Sequence, residues 1–439
     1  MAAPAAFDAA VIGGGVAGMS AATALAERGA RVVLIEARHE LGGRTSSFID
    51  AATGETADNG QHILMGCYDE AFAFLRRTGA WSSVAIQDRL SMDVVDREGR
   101  SSRLRCPGLP SPVHLLGGLF RWDALGWPDR LSALRLAVRS APETGETVAS
   151  WLRRLGQTPR LVELLWEPLA LAALNQPIDV AAAAPFAEVL ERMLRTGLDA
   201  SIAVPAVPLR QLFAAPTRQF LEAHGGTVLV DAPARLVPRD DGATELTVRG
   251  TPLTARTVIA AVEWHGLAGL FPTRPEALRH VFDAAASTPP AAILAAHLWL
   301  DRPVMEVPFL GLPGRPWQWI FDAARQWHGR SNHLSLVASA ADELAACDRD
   351  ALVTMALETV RDVLPAARTA VVRQAVVVRE RRATFSVAPG VAARPGHETG
   401  WPDLFLAGDW IGNTLPATIE AAATSGHAAA RLAARYLDL

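Results

Sequence analysis

The chain has 439 residues, half of them apolar, a net charge of −4, three cysteines and no lysine. That length exceeds a single hydrophobic core and predicts two domains, while the slight acidity gives no reason to invoke a nucleic-acid partner. Cys67, Cys106 and Cys347 lack metal-ligand spacing, so they predict no metal site and a reduced, cytoplasmic setting, and the missing lysine excludes any mechanism that needs its amine.

The N-terminus opens with an apolar run, Ala9 to Ile12, and then Gly13-Gly14-Gly15-Val16-Ala17-Gly18. Met1 to Ala10 carries no basic side chain and leads straight into this turn, so no targeting segment is expected. The pattern reads as a buried parallel strand, a G-x-G-x-x-G turn and a helix over roughly Val16 to Arg28. Gly13 permits the tight turn, Gly15 lets backbone approach a pyrophosphate, and Gly18 lets the helix pack close. The helix aims free N–H groups and its positive dipole end at phosphate. A second strand, Arg31 to Ile35, ends in Glu36, where a carboxylate accepts ribose hydroxyls. A glycine turn alone is weak, since such turns are common; the strand, the helix and Glu36 in register make it a dinucleotide site.

Leu41-Gly42-Gly43-Arg44 follows directly. Two glycines let backbone pass the pyrophosphate, and Arg44 supplies a fixed positive charge there. Phe72 to Leu75 predicts a helix after Tyr68. From Pro107 to Pro128 a Pro- and Gly-rich passage leaves for a second, largely helical region reaching about Pro205. Within it, Pro112 to Trp122 and Leu125 to Trp127 set Leu, Phe and two Trp beside Arg and Asp. That mix suits an interfacial segment on a membrane and a buried loop and helix equally well. No stretch reaches the ~18 apolar residues of a membrane span.

Near Thr217 the pattern returns to the nucleotide fold. Thr227 to Val230, Ala234 to Val237, Leu246 to Val248 and Thr257 to Ala261 predict a short antiparallel meander closing on a buried strand. Ala291 to Leu300 begins a second excursion, with strands near Leu334–Val337 and Val371–Val378 and a helix from about Asp350 to Leu364. At the far end, Leu404 to Ala407 is an apolar strand stopping in Gly408-Asp409, and Pro416-Ala417-Thr418-Ile419-Glu420 opens a helix. That helix can aim its N-terminus at a flavin pyrimidine edge, where negative charge builds on reduction. A chain whose end returns to complete its first nucleotide fold is typical of FAD enzymes.

The expected fold class is therefore α/β, an FAD-binding, doubly wound Rossmann-like domain with an interleaved α+β substrate domain. Residues 1–105, 206–270 and 386–439 are assigned to the FAD domain. Residues 106–205 and 271–385 are assigned to the substrate domain.

Asp58-Asn59-Gly60-Gln61-His62 through Tyr68 resembles the segment after the first cofactor motif in plant-type phytoene and ζ-carotene desaturases. Phe405 to Trp410 and Pro416 to Gly426 resemble their C-terminal flavin motif. The length, the Asn-Gly-Gln-His form and Glu380-Arg381-Arg382-Ala383-Thr384-Phe385 are most similar to the squalene-associated branch, the bacterial hydroxysqualene dehydroxylases. The resemblance covers nearly the whole chain. It implies an FAD enzyme of the amine-oxidase superfamily that replaces the hydroxyl of hydroxysqualene by hydride in squalene and hopanoid synthesis. By the same resemblance, Gly13, Gly15, Gly18, Glu36, Gly42, Gly43, Arg44, Gly60, Gly408, Asp409, Thr418 and Ile419 would contact FAD. The backbone of Ala234 would hold the adenine. Partners implied are a long-chain isoprenoid, squalene-pathway enzymes and peripheral contact with the inner face of a membrane.

A C30 hydrocarbon with one hydroxyl needs a long apolar channel with few polar groups. Loss of the allylic hydroxyl leaves a delocalised cation, which aromatic faces stabilise; Trp299, Trp317 and Trp319 sit where a channel wall belongs. For the proton donor the candidates are His62, next to Gly60-Gln61, with Glu167 and Glu380 behind it; Gln61 is grouped with His62. Three other functions stay open: a carotenoid-type desaturase running oxidatively, a flavin amine oxidase, and a non-catalytic flavin-binding or membrane-docking protein.

Overall fold

The computed structural model describes residues 6–135, 140–239, 243–327, 329 and 332–439. Ala9–Ile12, Val32–Ile35 and the later run to Ala260 are continuous apolar segments, the pattern of strands buried on both faces. They lie side by side in a five-stranded parallel sheet. Its order is Thr227–Leu229, Val32–Ile35, Phe7–Ile12, Ala255–Ala260, Leu404–Leu406. The last strand enters from the far end of the chain, with Val258 opposite Leu404 and Ala260 opposite Leu406. Thr227–Leu229 is therefore not part of a meander. It pairs in parallel with Val32–Ile35, and only Ala234–Pro238, Thr244–Val248 and Thr251–Leu253 form the antiparallel meander.

Helix α1 (Val16–Glu27) is apolar on all sides and buried along nearly its whole length. Such a helix belongs inside a core. It packs between the sheet and the C-terminal helix Ile419–Leu437. Gly426 makes that approach possible, since a Cβ there would run into the Ala17 carbonyl. Helix α2 (Asp69–Arg77) lies beside both.

A seven-stranded mixed sheet forms the second layer, in the order Val372–Phe385, Pro290–Leu300, His333–Ala338, Trp319–Asp322, Phe309–Gly311, Ser91–Val95, Ser101–Arg105. Two boundaries expected from sequence shift accordingly. Residues 91–105 belong with this sheet, because Gly311 bridges to Val94 and the hairpin extends the sheet. Residues 271–289 pack instead under the five-stranded sheet, where Phe271, Leu278, Val281 and Phe282 share a core with Ala10, Ile12 and Val258. The strand expected over Val371–Val378 runs on to Phe385.

Against one face of the seven-stranded sheet packs a helical region that includes α3 (Val113–Arg121), α4 (Trp127–Leu134) and the helices Glu167–Leu174 and Ala183–Met193. The passage from Pro112 to Trp127 is thus helical at both ends. Its core is dominated by Trp122, Trp151, Trp166 and Phe186; each such ring buried removes roughly 150–250 Å² from water. No helix among the described residues is long and apolar enough to cross a membrane.

Candidate active site

The parallel strands end at one edge, the position at which open α/β sheets bind ligands. Gly13, Glu36, Ala261 and Gly408, which follow four of the strands, all line a single cavity of about 710 Å³. Its nucleotide-facing end also takes in Gly15, Gly42, Gly43, Arg44, Gly60, Ala234, Asp409, Thr418 and Ile419. The opposite end runs between the helical region and the seven-stranded sheet and is walled by Leu115, Leu165, Trp166, Met193, Trp319 and Phe321.

Glu36 is fixed by backbone amides: Gly14 N–H donates to Oε2 at 2.7 Å and Arg38 N–H to Oε1 at 2.8 Å. The glycines divide by function. Gly13 adopts φ of 108°, and a Cβ there would strike the Ala261 carbonyl. Gly18 is not on the cavity wall. A Cβ there would hit the Gly13 carbonyl, so it sets helix against strand rather than touching a ligand. At Gly15 and Gly60 a Cβ would meet nothing within 4 Å, leaving open room over the N-terminus of α1.

Arg44 and Asp409, expected to serve separately, are one pair. Arg44 donates from both terminal nitrogens to the two Asp409 oxygens, at 2.8 and 2.7 Å, and also to the Ala383 carbonyl at 2.8 Å. Burial works against the guanidinium charge, but Asp409, Glu263 and Glu380 outweigh it and hold its pKa above the ordinary value. The lone positive charge read from sequence is therefore matched inside the protein.

The wall fits FAD on these observations: open space at Gly15 and Gly60, a fixed carboxylate at Glu36, and helix N-termini from both ends of the chain. Asn59 Oδ1 and Gln61 Oε1, on two wall residues, are buried and find no partner among the described residues.

His62 Nδ1 lies 2.7 Å from the Gly60 carbonyl, to which it donates, so Nε2 is the free acceptor. Burial first, and then Arg44, lower its pKa. That direction favours the neutral ring and argues against the acid role expected of it. Gln61 is held by its amide, which donates to Gln326 Oε1 at 2.6 Å. Glu167 is displaced from the site altogether. Its neighbours Leu165, Trp166, Pro168 and Leu169 line the cavity, but its own carboxyl points among Arg97, Glu163 and Asp179. Glu380 does reach the wall.

Of the three tryptophans, Trp319 alone is on the wall. Trp299 shares the strand face of Ile293, a wall residue, but lies six residues on, roughly 20 Å at strand rise. There it stacks on His333 at 4.3 Å and donates to Glu55 at 2.8 Å. Trp317 is buried in the core on the other face of the sheet.

Asn175 and Glu420 are polar wall residues that the sequence reading missed. Asn175 ends the helix Glu167–Leu174 in a left-handed conformation, φ 51°. It ties that helix to Thr384 Oγ1 at 2.9 Å and to the Ala340 amide at 2.7 Å. An Asn closing an apolar helical run is a recognised cap signal. Glu420, in the first turn of the C-terminal helix, accepts from the Glu70 and Ala71 amides at 3.1 and 2.9 Å. Burial pushes its pKa up to about 7, against the lowering effect of those amides. A raised carboxyl pKa gives stability that is complete below 4.5, the ordinary value, and is lost as pH climbs through about 7. Glu420→Gln carries no such dependence. The urea midpoint of the variant relative to wild type should rise between pH 4.5 and 7; a flat difference contradicts the burial argument.

Fold and wall together define a flavin-dependent oxidoreductase with FAD as cofactor, and the chain belongs to the flavin containing amine oxidoreductase family, which matches residues 16–434. More particularly, it is similar to hydroxysqualene dehydroxylase of Rhodopseudomonas palustris, with 31% identity over 96% of this chain and 97% of that one. The same-named protein of Sinorhizobium fredii is 32% identical over 96% and 97% of the two chains. Among solved structures, an oxidoreductase from Methanosarcina mazei shares the fold with a TM-score of 0.75 at 18% identity, covering 96% of this chain and 99% of its own.

Proposed function

We propose that this protein converts hydroxysqualene to squalene and water, in bacterial squalene and hopanoid synthesis. The observation that carries the reading is the single cavity: a nucleotide cradle continuous with an apolar lobe whose wall is mostly aliphatic and aromatic. The names of the relatives point the same way.

The net change replaces C–O by C–H: one hydride is added to carbon, and one proton leaves with the hydroxyl as water. Reduced FAD, when bound, supplies the hydride. The chain supplies the rest. Leu165, Trp166 and Met193 exclude water from the reacting carbon, which keeps a cation there from being captured. The faces of Trp319 and Phe321, with centroids 6.4 Å apart, stabilise an allylic cation as they would an ammonium group. His62 Nε2, as acceptor, orients the substrate hydroxyl. Glu380, on the cavity wall, donates the proton that leaves with the hydroxyl. With no lysine in the chain, a lysine-dependent amine oxidation is unsupported. A substrate of this kind resides in lipid, so peripheral attachment to the cytoplasmic face of a membrane, near the enzymes that make and consume it, belongs to the same reading.

Anaerobic incubation of reduced holoenzyme with hydroxysqualene tests it. Squalene should form in proportion to enzyme; no squalene, with phytoene dehydrogenated by the oxidised enzyme, would favour a desaturase. His62→Gln should retain FAD and lose roughly 10²-fold in kcat. The wild-type rate should fall at acid pH, below 6.5, as Nε2 protonates through its depressed pKa, and that limb should vanish in the variant. Wild-type kinetics in His62→Gln would remove the residue from the mechanism.

A further inference from the structure

Among the described residues, nothing covers the apolar face of the α3–α4 hairpin. Trp127, Leu131 and Leu134 stand at i, i+4 and i+7, on one side of α4, and are 66%, 55% and 40% exposed. The stripe continues onto α3. Phe120 meets Trp127 edge to face at 6.5 Å, and Val113, two turns before Phe120, is 50% exposed beside exposed Leu109. Six apolar side chains in one band exceed the scattered exposed hydrophobics of an ordinary surface.

We propose that this band is a docking face for an anionic lipid surface, and that the oily substrate enters the cavity through it; the second clause rests on the isoprenoid reading above. Three observations select lipid. The first is charge. The protein is acidic overall, yet the hairpin carries exposed Arg121 and Arg135, with Arg130 stacked 5.3 Å from the Trp127 ring. Of its two acids, Asp129 is occupied by the Gly126 amide and the Thr158 hydroxyl. Arginine flanking Trp and Leu on a short helix is the composition of an interfacial segment. The second is that a twofold pairing of copies through this face would set like charges against each other. The third is that the hairpin adjoins the cavity. Leu115 of α3 is a wall residue on the side of the helix turned away from exposed Val113, so the hairpin itself separates the cavity from the bare face, and Ser111 Oγ donates to the Leu194 carbonyl at 2.5 Å. That bond seats the base of the hairpin against Met193 and Leu194, which also line the cavity. Helices of eight and nine residues are too short to span a bilayer and lie along it.

Flotation of holoenzyme with vesicles tests the proposal. Wild type should partition onto phosphatidylcholine vesicles containing phosphatidylglycerol, more weakly as salt rises. Trp127→Ser/Leu131→Ser should lower partitioning tenfold or more, and Arg121→Ser/Arg135→Ser should remove the preference for anionic lipid. Both should turn over hydroxysqualene presented in detergent as wild type does. If vesicle binding depends on these residues but hydroxysqualene is never consumed, docking stands and the substrate reading falls. A wild type that stays off vesicles, variants that bind equally well, or a dimer that the same variants dissociate would each overturn the docking face.

Discussion

Asp409→Ala is expected to lose about 3 kcal/mol of apoprotein stability, the lower end for a broken buried pair, since Arg44 retains some solvent. The Asp409 side chain is 6% exposed and that of Arg44 is 26% exposed. Removing the carboxylate strands a desolvated guanidinium, held then by the Ala383 carbonyl and by the more distant Glu263 and Glu380. Arg44→Ala strands the carboxylate instead. The double variant should recover part of the loss, because neither charge is left alone, and a double-mutant cycle in urea measures this. Strictly additive losses would show that the pair is not coupled. The pair joins positions 365 residues apart, so both single variants should also release FAD on gel filtration.

Gly15→Val and Gly18→Ala should fail in opposite ways although both alter one motif. At Gly15 the new side chain enters open space. The apoprotein should melt near wild type and bind no FAD. At Gly18 the added methyl collides with the Gly13 carbonyl; strand and helix must separate, with overpacking costing roughly 1–3 kcal/mol or more. That variant should fold poorly before any question of cofactor arises. Thermal melts of the apoproteins with flavin titration distinguish the two. A Gly15→Val protein that keeps FAD would contradict the cradle.

The cofactor half of the site was legible because its rules are local. A buried strand, a glycine turn and an acid in register define the edge of a parallel sheet wherever they occur, and Glu36 lies where that register places it. The return of Leu404–Leu406 to the same sheet was readable as an apolar run stopping in Gly408-Asp409. What sequence could not supply was pairing across the fold. Nothing local says that Arg44 meets Asp409, or that Glu420 caps α2. Channel residues were the weakest reading for the same reason. Trp299 and Trp319 are both strand tryptophans, and only the length of the cavity decides that one is on the wall and the other past its end. Glu167 failed through helical phase, since one step of 100° turned it from the cavity to Arg97. The mix of apolar and charged residues in the Pro112–Trp127 passage was readable in composition, but which face is bare was not.

A crystal structure of the protein with FAD and hydroxysqualene addresses the central claim most directly. The account predicts one continuous density path, with the pyrophosphate over Gly15, the ribose at Glu36, and the hydrocarbon lying between Trp166, Met193 and Trp319. Hydrocarbon bound elsewhere, or FAD seated away from Gly15 and Asp409, would contradict it.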